Sequence, residues 1–487
     1  MENDKAKSIL FFGVKLLKKK TKDFRLFWKK FYYKIKIFGD LFIIVTSVIF
    51  LVAVVFLFAK GAGTFLGQLI TTTSILLFLQ GSIALTLLIF TWNNPLEYFW
   101  ERKKIDSLPD KVVNSFSIII PAHQEEEVIG KTIKSISEVD YPEEKKEVFV
   151  VVNRKGNKAT IKEAKKAIAA TKKKNIHLVV FGGPAGKAEG LNIGLKKSTK
   201  DFLVIFDAED RVHPNLFKVV DKIIQKKNVD VVQSGVQLMN FQKDWYSLFN
   251  VLEYYFWFKS SLHFFVRGGV VPLGGNTVFF RRKLVEEIGG WDEECLTEDA
   301  DIGLRLAIKK ARMTIVYDEK LATREQTPPT LTSFIKQRTR WNQGFMQIFF
   351  KGEWIKLPKL RQKIYILLIL LWPFLQAIVF LIIPFIIYAM FVLKLSFWYS
   401  MISFLPLYIL LFMGIIANLA IYEFTKNYNK KYNPLLIPQI FLMIIPYQMI
   451  LGISALRAMY RQLFGKLNWE KTEHLQVNDI SINDDKK

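Results

Sequence analysis

An α/β domain with a largely parallel sheet, held between apolar helices at both ends of the chain, is the architecture this sequence predicts. Three observations carry it. Long apolar runs lie before Asn93 and after Leu360, and four short apolar strands separated by polar helical segments fill the middle. The basic residues crowd beside the apolar runs, as they do where Lys and Arg hold the cytoplasmic side of a membrane.

The 487 residues leave room for a soluble domain of about 250 residues with further parts on either side. Hydrophobic residues make up 51% and aromatic residues 14%, which fits a membrane protein with a soluble middle. A net charge of +25 invites a nucleic-acid partner. Its placement next to apolar spans ranks orientation in anionic lipid above that reading, so no nucleic acid is expected. Cys295 is the only cysteine, which excludes an intramolecular disulfide and a multi-cysteine zinc site.

Residues 1–37 set Lys18, Lys19, Arg25, Lys29 and Lys34 among Phe24, Trp28 and Phe31, the pattern of an interfacial helix. Residues 38–92 hold two apolar runs, Leu41 to Ala59 and Phe65 to Trp92, each long enough to cross about 30 Å of hydrocarbon. Basic flanks on both sides of this hairpin predict that its two ends are cytoplasmic. The α/β domain spans 112–327. Its strands are expected at Phe116–Ile120, Val148–Val152, His177–Phe181 and Phe202–Phe206, and the first and fourth end in Pro121-Ala122-His123-Gln124-Glu125-Glu126 and Asp207-Ala208-Glu209-Asp210. Ligands bind at the carboxyl ends of adjacent parallel strands, so these two loops share one predicted site.

Asn240 to Val266 is an aromatic helical segment interrupted by charges, expected to pack under the membrane or along an acceptor path. Pro272 to Thr277 is a Gly-rich turn before another strand, either a close backbone approach to a ligand or an ordinary tight loop. Residues 328–358 form an interfacial helix. Within 361–460 the apolar segments Ile364–Met390, Phe397–Tyr422 and Leu435–Tyr460 are each interrupted by proline. Both Lys426–Lys431 and Arg457–Lys466 ask for the cytoplasmic side, which three simple crossings cannot deliver. The proline-interrupted segment after Leu435 is therefore expected to be re-entrant or interfacial, and 461–487 forms a cytosolic tail.

The chemistry gathers between Trp291 and Trp341. Joining a sugar to a hydroxyl needs a carboxylate to take the proton, cations for a departing phosphate and a flat ring under the acceptor. Asp299, with Glu298 beside it, supplies the first unless it only starts a helix. Arg338, Arg340 and Trp341 supply the others unless they form only a basic, aromatic interfacial helix. Asp207, Glu209 and Asp210 are hard oxygen ligands suited to Mg²⁺ or Mn²⁺, although Asp210 also suits a helix N-cap, and Lys187 is placed to meet a phosphate or those carboxylates.

Five motifs, Pro121 to Glu126, Gly186-Lys187-Ala188 with Leu191-Asn192, Asp207 to Asp210, Thr297-Glu298-Asp299 and Gln337-Arg338-Thr339-Arg340-Trp341, occur in the order seen in processive, membrane-embedded family 2 glycosyltransferases. The chain resembles the cellulose synthase, poly-N-acetylglucosamine synthase and hyaluronan synthase group over roughly residues 115–350, and Trp469 to His474 looks like a tail motif of some bacterial members. The resemblance implies a cytosolic GT-A domain in the plasma membrane that uses a UDP-sugar, or a GDP-sugar, with Mg²⁺ or Mn²⁺ and inverts the anomeric carbon. The product would be a β-linked polysaccharide passed through the membrane helices, with accessory subunits as further partners; transfer of one sugar to a lipid carrier is the alternative.

By the same resemblance Asp299 is the base with Glu298 beside it, and Asp207, Glu209 and Asp210 hold the metal. The donor meets Ala122, Glu125, Lys187, Asp207, Gln337, Arg338 and Arg340, and the acceptor meets Trp341, Gly275 and Asn276. Two departures stand out: Asn153 replaces an Asp that contacts the nucleotide base, and Glu209 is one methylene longer than the usual second Asp.

Overall fold

The computed structural model describes residues 65–93, 111–183, 186–392, 405–466 and 470. The expected interfacial segment 1–37, the first apolar run Leu41–Ala59 and the tail motif other than Glu470 lie outside the described residues. The chain divides into two units, Met1–Thr72 and Thr73–Lys487, and every contact below lies within the second.

Alternation of apolar side chains builds the sheet. In β1 (Phe116–Ala122), Phe116, Ile118 and Ile120 enter one core and Ile119 the other; β2 (Lys146–Asn153) repeats this with Val148, Val150 and Val152 against Phe149 and Val151. Both faces are covered, so these strands read as nearly continuous apolar runs. β3 (Ile176–Phe181) and β4 (Phe202–Ile205) complete a parallel set. β5 (Val231–Ser234), β6 (Val236–Leu238), β7 (Val278–Arg281), β8 (Met313–Val316) and β9 (Thr323–Glu325) follow. The main sheet has seven strands in the order β3-β2-β1-β4-β7-β5-β8, with β7 antiparallel to both neighbours, while β6 and β9 form a separate parallel pair. This is a GT-A-like α/β fold with a mostly parallel sheet.

After the apolar helix α1 (Phe65–Ile89), the domain helices are α2 (Ile129–Ser137), α3 (Lys158–Thr171), α4 (Lys187–Lys197) and α5 (Leu216–Lys227). α2 buries Ile129, Ile133 and Ile136, and α5 buries Leu216, Val220, Ile223 and Ile224, so each lays a helical stripe on the same sheet face. α4 packs on the opposite face, where a Cβ on Gly194 would come within 2.5 Å of Ile119. Each fully buried aliphatic or Phe side chain contributes about 1.5–3 kcal/mol relative to exposure, and this repeated burial holds the layers together.

The aromatic segment predicted at Asn240–Val266 forms α6 (Trp245–Phe256), a π-helical turn (Trp257–Ser261) and α7 (Leu262–Gly268). α8 (Arg282–Glu287) and α9 (Glu298–Ile308) precede α10 (Leu331–Lys351). The Thr330 side chain accepts the Ser333 N–H to start α10, and Gly352, at φ +70°, ends it. α11 (Leu360–Leu370), α12 (Trp372–Val392), α13 (Leu405–Asn427) and α14 (Leu436–Leu463) complete the chain.

One hydrophobic core runs from the sheet through Phe249 and Tyr255 of α6 to Phe424 of α13 and Ile440 and Tyr447 of α14. Among the described residues three helices are long and apolar enough to cross a membrane, within α1, α13 and α14, and α11 with the start of α12 makes a fourth if the pair is one span. That pair is bent by 41°. This bend lies at Leu371, while the segment after Leu435 is one continuous helix, α14. Pro373 stands in the first turn of α12, where its missing N–H has no helical partner, so it starts the second helix of the pair. α14 runs on through Pro438, which sits in its first turn where that N–H has no helical partner, and through Pro446.

Candidate active site

Carboxyl ends of β1, β2 and β4, the amino ends of α4 and α9, the Pro272–Thr277 turn and one side of α10 surround a cavity of about 690 Å³. β1 and β4 are adjacent, so the loops after them open into it together. Ala122 and Glu125 line it from the first loop, and Asp207 and Glu209 from the second.

Lys187, first residue of α4, is the hub. Its ammonium lies 2.5 Å from Asp207 Oδ1 and 3.9 Å from Glu298 Oε1, and donates to the Gly275 carbonyl at 3.1 Å. Burial alone lowers an ammonium, but Asp207 and Glu298 outweigh it and hold Lys187 above the usual lysine range. Thr297-Glu298-Asp299 stands at the start of α9, braced where Gly344 of α10 leaves room for the Thr297 side chain. Burial pushes Glu298 up to about 7, with Lys187 opposing the rise and Asp299 adding to it. Asp299 is raised by its own burial, against the pull of Lys187 and of the Ala300 N–H that donates to its Oδ1 at 2.9 Å. Asp299 thus stands in the first turn of a helix and lines the cavity.

Gly275 is at φ +81°, and a Cβ there would sit 2.7 Å from Asp299 Oδ2. Only glycine brings this turn so close to the acid. The next residue, Asn276, turns inward: its amide donates to Asp210 Oδ1 at 3.1 Å and to Glu325 of β9. Asp210 also accepts the Asp207 N–H at 2.8 Å and is fully buried. Burial, then the neighbouring Glu325, raises Asp210 well above the carboxylate range; burial, then Glu209, pushes Glu325 up to about 8. Asp210 is therefore a brace for its own loop. It does not cap α5, whose N-cap is Asn215.

Among the described residues no three His, Cys, Asp or Glu side chains converge on a metal position, and Asp210 separates from the expected set of three. Asp207 and Glu209 both line the cavity. Two hard oxygen donors fit an ion that takes its remaining ligands from water and substrate phosphates, as Mg²⁺ does.

On α10, Gln337, Arg338, Arg340 and Trp341 all line the cavity. The Arg338 guanidinium is paired with Glu253 and Asn250 of α6 and lies 4.6 Å from the centre of the Trp341 ring. Its charge is already matched, and it holds one side of the indole. Arg340 donates to the Leu296 carbonyl at 3.3 Å and lowers both Glu298 and Asp299. Arg340 Nε and Gln337 Oε1 are buried without a hydrogen-bond partner, which marks this side as able to receive a polar ligand. Asn153 lines the cavity, but its amide donates to the Gly183 carbonyl at 3.1 Å and accepts the Lys155 N–H at 2.8 Å. Glu325, Glu253 and Tyr254 were not predicted as site residues. Glu325 lies beside Arg324 in a short buried strand, a placement that only the fold reveals.

Residues 114–344 match the family described as "Glycosyltransferase like family 2". A beta-monoglucosyldiacylglycerol synthase from a Nostoc species is 28% identical over 47% of this chain and 49% of its own length. A poly-beta-1,6-N-acetyl-D-glucosamine synthase from Staphylococcus epidermidis is 22% identical over 53% of this chain and 60% of its own. The chain thus spans about half to three-fifths of the curated relatives it matches. A mannosyltransferase from Pyrobaculum calidifontis, solved with GDP-Man and Mn²⁺, superposes with a TM-score of 0.47 at 20% identity, covering 80% of this chain and 99% of that one. Residues 114–344, with the acids around Lys187 at their centre, are a family 2 glycosyltransferase domain.

Proposed function

We propose that the protein transfers a hexose from a nucleoside-diphosphate donor to an acceptor hydroxyl with inversion at the anomeric carbon. The observation that carries this is the meeting of Lys187, Asp207, Glu298, Asp299 and Arg340 around one cavity. The acceptor oxygen attacks the anomeric carbon while the bond from that carbon to the β-phosphate oxygen breaks. The electron pair leaves with the diphosphate, and Asp299 takes the acceptor proton. A carboxylate raised by burial is a stronger base than an exposed one, and a cation beside it keeps it ionised.

Lys187 and Arg340 face the charge that develops on the diphosphate. Asp207 and Glu209 would hold Mg²⁺ or Mn²⁺, whose charge neutralises the same oxygens. Arg338 takes another role, fixing the Trp341 ring as an acceptor platform with Tyr254 beside it at 6.3 Å between centroids. Base recognition falls to the cavity wall at the β1 and β2 ends, which His123, Glu125 and Asn153 line.

Donor sugars of this kind are cytoplasmic, so the domain faces the cytoplasm with the apolar helices in the plasma membrane. Growth of a β-linked polymer is supported by the aromatic surfaces of Trp341 and Tyr254 and by the likeness to the poly-N-acetylglucosamine synthase. Transfer to a lipid is supported by the likeness to the glucosyldiacylglycerol synthase. Incubating the full chain in lipid discs with labelled UDP- and GDP-hexoses and Mn²⁺, then sizing the product, tests the reading. A labelled glycoside lost in Asp299→Asn is expected; absence of transfer from every donor rejects it.

A further inference from the structure

The cavity that holds Asp299 is walled on another side by the apolar helices. Ile83, Ala84 and Leu87 of α1 and Leu367, Leu368 and Leu375 of α11 and α12 line the same space as the carboxylates. This wall is mostly aliphatic, with Trp372 as its one aromatic ring and Gln80 and Gln376 as its amide side chains. Three cavity-lining side chains are also open to the outside, Ile83 at 37%, Ile364 at 49% and Leu371 at 37% exposure. They belong to helices, or a bent helix pair, apolar enough by length and composition to cross a membrane, so in a bilayer hydrocarbon would meet them.

A sugar chain lying on such a wall would leave its hydroxyls without partners, which is costly where water is excluded. A hydrocarbon chain there loses nothing and is removed from water. We propose that the acceptor is amphiphilic, its hydroxyl presented to Asp299 over Trp341 and its hydrocarbon chain lying along the α1, α11 and α12 wall, entering from the bilayer. This rests on the glycosyl-transfer reading and names the acceptor class for the same site.

The test uses the full chain in lipid discs with UDP-glucose or GDP-mannose and Mn²⁺. Two acceptor pairs share a hydroxyl-bearing head and differ in the chain: methyl against octyl β-glucoside, and glycerol against dioleoylglycerol. Each buried methylene contributes roughly fourfold in binding. In at least one pair the chain-bearing acceptor is expected to exceed its short partner in kcat/KM by at least a hundredfold. Leu368→Trp and, on a different helix, Leu87→Trp are each expected to cut that ratio at least tenfold by filling the wall, so one misfolded variant leaves the other.

Preference for octyl glucoside or for dioleoylglycerol supports the proposal in either case and tells a single chain from a diacyl anchor. Equal rates within both pairs, or transfer only to a soluble oligosaccharide, overturn the amphiphilic acceptor while leaving glycosyl transfer standing. No transfer to any acceptor overturns both.

Discussion

Asp299 lines the cavity from the first turn of a helix, close against a glycine turn, and burial raises it against the pull of Lys187. Replacing it with Asn removes the proton acceptor and keeps the shape. Asp299→Asn is expected to lower kcat by about 10²–10⁴-fold with the donor KM little changed, read by initial rates over a donor series. The pH profile follows from the same burial. Glu298 is pushed up to about 7 and Asp299 is raised, so protons bind these acids at a higher pH than exposed carboxylates. Activity is therefore expected to be lost as pH falls into the range where these acids bind protons, about 7 for Glu298, and Lys187→Met moves the acidic limb to higher pH because the cation that lowers both groups is gone. A rate that stays flat from pH 8 to pH 5 contradicts this arrangement. Asp207, Glu209, Asp299 and Arg340 were legible in the sequence because each stands in a short cluster of chemistry-bearing residues. Glu325 was not, because its partner Asn276 is 49 residues away and nothing next to it in the chain announces the contact.

Elements place these residues, and two turns do most of the placing. Gly275→Ala puts a side chain into left-handed backbone and against the acid, so kcat is expected to fall at least tenfold, with a small drop in Tm. Asn276→Ala leaves the buried Asp210 and Glu325 carboxyls without their amide donor, a loss expected to destabilise the domain by about 1–3 kcal/mol in thermal melts. Adding Glu325→Gln restores a donor beside Asp210 and is expected to recover part of that loss; no recovery would count against the shared-donor account. The four parallel strands could be read from their apolar runs. β5, β8 and the reversed direction of β7 could not, because four-residue strands carry no periodicity that distinguishes direction or sheet position.

At the scale of the whole molecule, the glycosyltransferase domain and the apolar helices share a core and a set of buried ion pairs. Lys259, in the π-helical turn, binds Glu319 of the domain at 3.2 Å and Glu423 of α13 at 2.7 Å. Lys259→Met leaves Glu319 with the Asn427 amide and Glu423 with the Trp92 indole as remaining donors, and is expected to cost about 1–3 kcal/mol, seen as a lower Tm of the purified protein in lipid discs. The apolar ends were visible in composition alone, whereas the position of the helix break was not. Proline interrupts each of the three apolar segments, yet helices continue through Pro384 and Pro446 and the 41° bend falls just ahead of Pro373. The joining of the carboxylates to an aliphatic wall was equally hidden, since α1 and α11 are separated by the entire domain in sequence.

The central claim is that Asp299 drives an inverting transfer in this cavity, and the anomeric configuration of the product tests it most directly. The full chain in lipid discs is supplied with α-configured UDP- and GDP-hexoses and Mn²⁺, and the product is examined by proton NMR beside the Asp299→Asn variant. A β-linked product that disappears in the variant is the predicted result. An α-linked product, or a β-linked one formed undiminished by Asp299→Asn, would contradict it.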